Sequence, residues 1–214
     1  MTDSQLNTNP AAAPRRIVYD RLAKHYDCAF EPLEKWFLKK LRAETLRQIP
    51  PDSRILEIGC GTGLNFSYYQ RNGRGVASEL SREMIARAKP KPRPAGIHLA
   101  QAGVEALPFA ENSFDAAFAT LVFCSIASPL QAFAELRRVV RPGGTIALLE
   151  HVRPNNFLAP LFDMFSIVTV PLFDDHFNRR TANEARRAGL EITRIDESLR
   201  GIIQLIVCRN PICR

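Results

Sequence analysis

Residues 56–65 read LEIGCGTGLN: glycines at 59, 61 and 63 behind an apolar run, with Glu57 two residues before the first of them. Glycines so spaced let the main chain approach a ligand closely. A dinucleotide-binding turn is written GxGxxG, so its third glycine would fall at position 64, which here is Leu64. A pyrophosphate would also meet the charge of Glu57 at short range, whereas a cationic ligand end would be attracted. Twenty residues after Gly59, Glu79 ends the stretch RGVASE. An acid placed there accepts hydrogen bonds from both hydroxyls of a ribose. The three features together describe a nucleoside with a cationic end and no phosphate.

S-adenosylmethionine, with an ammonium and a sulfonium, is such a ligand. Other residues could act on a second substrate. His151 ends the apolar run TIALLEH and titrates near neutrality, which suits a base. Cys124, in LVFCS, either lines an acceptor site or is a core cysteine. Asp174, Asp175 and His176 form either a base and amine site or a polar loop; Arg179 and Arg180 either meet a phosphate or cap turns. The five cysteines (28, 60, 124, 208, 213) and four histidines are scattered, with no CxxC pair, so a metal site has little support and reduced thiols are expected.

These residues need a scaffold, and the order of elements supplies one. SRILEIG, RGVASEL, GIHLAQA, FDAAFATLVFC and TIALLEH read as strands. Helices through NFSYYQ, SREMIARAK (Ser81 as N-cap) and SPLQAFAELRRVV separate the first strands, and the turn RPGG precedes TIALLEH. The alternation predicts an α/β fold with a doubly wound, largely parallel sheet. LEITRID and GIIQLIVCR, after a helix in RRTANEARRAG, add an antiparallel pair. Upstream, residues 31–48 carry Leu33, Phe37, Leu41, Thr45 and Leu46 at helical spacing, with Lys35, Lys39, Lys40 and Arg42 on the other faces, and Pro50-Pro51 stops that helix. The stretch 154–178 reads as less regular, apolar and interrupted by prolines. It is either core, an apolar pocket or a membrane-facing surface.

ILEIGCGTGLN, ASELSREMI, VEALPFAENSFD and ELRRVVRPGGTIALLEHV follow one another across roughly residues 17 to 152, and together they resemble the class I S-adenosylmethionine-dependent methyltransferases. The resemblance implies a single Rossmann-like seven-stranded sheet. It implies that Gly59, Gly61 and Gly63 admit the methionine portion and ribose, that Glu57 orients the amino group, and that Glu79 holds the ribose. Leu80, Gly103, Val104, Glu105 and Leu121 join the cofactor-binding set. Tyr26, in the lead-in YDRLAKHYD, would close over the cofactor. Many relatives place an Asp where this chain has Gly103, so adenine recognition passes to main chain near Gly103 and Val104, to Glu105, or to another residue. TLVFCSI, EHV and PLFDDHFNRRT resemble the branch with membrane-associated thiol methyltransferases and bacterial phosphatidylethanolamine N-methyltransferases. Quinone-ring C-methyltransferases share the lead-in.

Length and charge bound the rest. The 214 residues, 46% apolar and 24% charged, fit one globular domain. No apolar run reaches the roughly 18 residues that span a bilayer. Residues 1–16 read as a disordered tail and 17–214 as the methyltransferase domain, with 17–50 a helical lid and 154–178 an acceptor lid. The net charge of +7 favours anionic partners, or serves solubility only. Trp36 beside Lys35, Lys39 and Lys40 suits an anionic membrane interface. The expectation is a cytoplasmic enzyme, peripheral at the inner membrane face, with a small-molecule or lipid acceptor methylated on N or S and a phospholipid amine favoured. A non-catalytic cofactor- or membrane-binding module is the other class. Nucleic acid is not expected, because aromatics do not interleave with basic patches.

Overall fold

The structure, a computed structural model, describes residues 19, 20, 23, 24, 27, 31, 32, 34–154, 157, 159–173 and 178–212. The expected tail, Tyr26 and the 174–176 cluster lie outside these residues.

Strand β1 (Arg54–Ile58) is buried on both faces. Leu56 and Ile58 join the core on one side, while Ile55 joins a second cluster on the other. A strand covered on both sides belongs at the centre of a parallel sheet. It pairs in parallel with β2 (Arg74–Glu79) and with β4 (Phe114–Thr120). With β3 (Gly96–Gln101), β5 (Val140–His151), β6 (Glu191–Ser198) and β7 (Ile203–Arg209) the sheet has seven strands in the order β3-β2-β1-β4-β5-β7-β6. β7 runs antiparallel to both β5 and β6, as the closing pair predicts. The chain leaves β1 toward β2 and β3, then returns to the other side at β4, so the topological switch point lies between β1 and β4. That crevice is where doubly wound sheets hold their ligands.

Helices cover both faces. α1 (Lys39–Arg47) follows one π-helical turn, Glu34–Leu38. α2 (Arg82–Ala88) starts at Ser81, whose Oγ accepts from the Met84 amide at 3.1 Å. α3 (Pro129–Val139) opens on proline and buries Ala132, Phe133, Leu136 and Val139, the spacing of one helix face. α4 (Ala159–Phe173) and α5 (Thr181–Arg187) follow β5.

Several expectations change. NFSYYQ holds only a 3-10 turn, Phe66–Tyr68, because the backbone is already extended at Tyr69, which packs with Phe66 beneath the central strands β1 and β4. The strand expected through LVFC stops at Thr120. Leu121 takes φ +58°, a left-handed backbone that a strand cannot continue, and Phe123–Ser125 is a 3-10 turn. The turn RPGG is absorbed into β5 as a bulge: pairing jumps from Phe114–Val140 to Ala116–Thr145. The stretch read as irregular contains the 15-residue helix α4, whose Pro160 sits in the first turn, where no amide donor is needed. Arg42, expected on a solvent face of α1, is 5% exposed.

Candidate functional site

Beyond the C-terminal ends of β1, β2 and β4 lies a cleft open to solvent. Gly59, Gly61, Glu79, Leu80, Gly103, Val104, Glu105 and Leu121 line it, eight of the residues the sequence singled out. Gly59 has φ +62°, and a Cβ there would stand 2.6 Å from a Val122 methyl carbon, so the β1 turn can lie against the β4 turn only as glycine. Gly61, at φ +55°, faces open space: no atom comes within 4 Å of where its Cβ would be. The main chain therefore borders the cleft directly at this position.

Glu79 ties the two sides of the cleft together. Its Oε2 accepts from the Gly61 amide at 2.9 Å and its Oε1 from the Ser81 amide at 2.8 Å. Burial raises its pKa, against the pull of amides at Ser81, Gly61 and Leu80. A carboxylate already held in register by backbone donors keeps lone pairs for a diol. The apolar side chains of Ile58, Leu80, Met84, Val104 and Ile126 supply the remaining wall. One fixed carboxylate, an open glycine main chain and an apolar slot fit a nucleoside bound without phosphate.

The lead-in segment clasps this turn. Tyr19 lines the cleft, Asp20 accepts from Ser81 Oγ at 2.5 Å, and Asp27 accepts from Thr62 Oγ1 at 2.5 Å and from Lys91 Nζ at 2.7 Å. Thr62 stands between Gly61 and Gly63, and Ser81 caps α2, so one aspartate meets each bank. Ser81→Ala is expected to lose the cap and the Asp20 contact together, lowering stability by about 1 kcal/mol in a urea titration.

Glu57, expected to face the ligand's amino group, is fully buried beneath the turn. Its Oε1 accepts from Asn65 Nδ2 at 2.5 Å and its Oε2 from the Tyr69 hydroxyl. Burial raises its pKa to about 7, against those hydrogen bonds and the charge of Arg42. Arg42 Nη1 reaches Asn65 Oδ1 at 3.1 Å and Thr120 Oγ1 at 2.6 Å, while its Nε pairs with Glu34. This network of α1, the glycine turn and β4 was not foreseen. Only the placement of Asn65 and Tyr69 four residues apart after the glycines hinted at it. Glu150 was also missed: its Oε1 accepts from the Val122 and Phe123 amides at 3.0 and 3.1 Å, and so holds the turn that carries Leu121.

The two residues expected to act on an acceptor are placed differently from the cofactor set. Cys124 is buried in the 3-10 turn and His151 is buried at the end of β5; neither lines the cleft. Gly63, in the glycine turn after β1, has φ +84° and packs against Phe66. Arg179 donates to the Ile126 carbonyl at 2.5 Å, holding a residue of the cleft wall, and Arg180 is exposed.

The comparisons agree with this geometry. A family model described as a methyltransferase domain matches residues 56–148. The chain belongs to the class I S-adenosylmethionine-dependent methyltransferases, and S-adenosylmethionine is its cofactor. It is 32% identical over 73% of its length to a ubiquinone/menaquinone biosynthesis C-methyltransferase of Syntrophotalea carbinolica, covering 69% of that protein. Over 46% of its length it is 33% identical to a thiol S-methyltransferase of Homo sapiens and 31% identical to a phosphatidylethanolamine N-methyltransferase of Cereibacter sphaeroides, covering 42% and 50% of those proteins. A solved S-adenosylmethionine-dependent methyltransferase of Thermotoga maritima shares the fold at a TM-score of 0.71 and 20% identity, over 92% of this chain and 99% of that one.

Proposed function

We propose that this methyltransferase acts on a nitrogen or sulfur of an apolar or lipid-linked acceptor, with a phospholipid amine head group favoured. The observation that carries the reading is α4, directly after the β5 end of the site: fifteen residues with a single charged side chain, Asp163, itself paired with Arg153 at 2.8 Å. An apolar helix that follows β5 in the chain favours an acceptor with an apolar body. The similarity to a phosphatidylethanolamine N-methyltransferase supports it.

The cofactor supplies a methyl group on a sulfonium, a good leaving group. The chain's residues bind and orient it. Glu79 takes the two ribose hydroxyls, and the Gly59–Gly63 main chain borders the amino-acid portion. Leu80, Val104 and Leu121, which line the cleft, would supply apolar contacts to the nucleoside. Glu105 takes the adenine amine in place of a carboxylate at 103: its Oε2 lies 3.8 Å from where a Cβ on Gly103 would stand. Glu57 acts through Asn65 and Tyr69 by fixing the turn. Transfer from a sulfonium draws most of its acceleration from orientation and exclusion of water, and His151 or Cys124 would act on the acceptor from outside the cofactor cleft. In domain terms, residues 17–50 form the lid over the cofactor and 154–178 the lid over the acceptor.

Incubation with labelled S-adenosylmethionine and a panel of phospholipids, thiols and quinone precursors, read by product mass, tests the acceptor. Label on phosphatidylethanolamine is expected; label confined to a thiol or a quinone ring sinks the lipid assignment. Quinone C-methylation is the second reading, favoured by the similarity that extends over 73% of this chain.

A further inference from the structure

Helix α4 turns a buried face inward at Ala159 and Ser166, seven residues apart, and an exposed face outward at Leu161, Met164 and Ile167. At about 100° per residue, Leu161 and Met164 lie opposite the buried pair and Ile167 flanks it. They are 50%, 59% and 73% exposed, and Phe157, just before the helix, is 79% exposed. Exposed leucines scattered singly need no explanation, but a continuous strip of large apolar side chains marks a surface that meets something.

Beside the strip run two clefts that share Arg180 and Asn183. Arg153, Arg180 and Arg186 line one of them with Glu197; Arg179, Arg180 and Arg187 line the other with Glu184. Two hydrogen bonds of 2.8 Å join Arg153 to Asp163 on α4. These bonds first, and then the nearby charges of Arg153 and Arg180, hold the Asp163 carboxyl below its ordinary range. The one carboxylate of α4 is thus neutralised, and the apolar strip has a rim of guanidinium groups.

We propose that the exposed face of α4 and this arginine rim form the surface on which the protein docks to an anionic phospholipid bilayer. The strip enters the head-group region with its apolar side chains, and the guanidinium groups pair with phosphate oxygens. Among the described residues no helix is long and apolar enough to cross a membrane, so α4 lies along the surface. The inference rests on the lipid-linked acceptor and adds the face through which that acceptor is reached. It also moves the contact from Trp36, 82% exposed beside Lys39 and Lys40, to α4.

Co-sedimentation tests it, using vesicles of phosphatidylcholine with and without phosphatidylglycerol at low and physiological salt. The wild type is expected to pellet with the anionic vesicles only. Leu161→Ser/Met164→Ser/Ile167→Ser should lower the pelleted fraction about ten-fold. Arg180→Gln/Arg186→Gln/Arg187→Gln should weaken binding and flatten its salt dependence, while Trp36→Ser/Lys39→Gln/Lys40→Gln should stay within about two-fold of wild type. The strip and arginine variants should keep wild-type affinity for S-adenosylmethionine, since none of their residues lines the cleft. A wild type that stays in the supernatant overturns the proposal, as does a strip variant that pellets normally. So does a wild-type dimer that the strip variant converts to monomer, because a second copy would then cover the face. Pelleting by an enzyme that methylates only soluble thiols would sink the lipid acceptor and leave the docking surface standing.

Discussion

Glu79→Ala is expected to lower affinity for S-adenosylmethionine by roughly two to three orders of magnitude in an isothermal titration. The loss has two sources. Two ribose hydroxyls lose a charged acceptor, each such bond contributing about 1.5–3 kcal/mol. The amides of Gly61 and Ser81 also lose the oxygens that hold them at 2.9 and 2.8 Å, so the two banks of the cleft come apart. Glu79→Gln separates these effects: one amide keeps its acceptor and the other meets a donor, so an intermediate affinity is expected. Gly61→Val should be equally damaging for a different reason. The open space at its Cβ belongs to the ligand, and valine at φ +55° is strained. Near-wild-type binding by Glu79→Ala and Gly61→Val would remove the assigned site.

Glu57→Gln is expected to stabilise the fold at pH 8 and to lose that advantage by pH 5. Burial raises the folded pKa of Glu57 to about 7 from an ordinary 4.5, against the hydrogen bonds of Asn65 and Tyr69 and the charge of Arg42; Glu79, also buried nearby, adds to the rise. For a carboxyl the sign follows directly. Between about pH 4.5 and 7 the folded chain keeps a proton that the unfolded chain has released, so stability falls as pH rises through that window. Above it the penalty is constant at about 3 kcal/mol. Glutamine fills the same space without the charge, and lost contacts to Tyr69 and Arg42 offset part of the gain. A net difference of about 1–3 kcal/mol raises Tm by roughly 2–12 °C in a chain of this size. Thermal scans of both proteins at pH 5 and 8 measure it. An equal Tm difference at the two pH values would show that Glu57 does not titrate in this range. The same buried charge gives the glycine turn a rigid foundation at a cost in stability, a trade often found at binding sites.

The glycine turn itself also looks different from its sequence. Phosphate exclusion by Glu57 assumed a carboxylate at the ligand's side. The structure puts that group under the turn with a pKa of about 7, so its charge reaches the cleft from below and depends on pH. Glu79 and Glu105 are the carboxylates that line the cleft.

What the sequence determined by itself is what depends on local spacing. Alternating apolar strands and amphipathic helices dictated the sheet and its parallel half. The interval from Gly59 to Glu79 measured one strand–turn–strand unit, and Ser81 announced the start of a helix through its own side chain. Each of these is decided within a few residues, by side-chain period, φ preference or a capping bond. Tertiary structure alone decided what depends on which surfaces meet. Arg42 carries no mark that separates it from Lys39 and Lys40 on the same helix, yet packing of α1 over Asn65 and Thr120 buries it, because a guanidinium with three acceptors around it can leave water. Glu150, one residue before His151, turns inward to hold the β4 turn. The run 159–173 is apolar all round in sequence, so period could not say which side faces out. Only the seating of Ala159 and Ser166 against the domain left Leu161, Met164 and Ile167 in solvent.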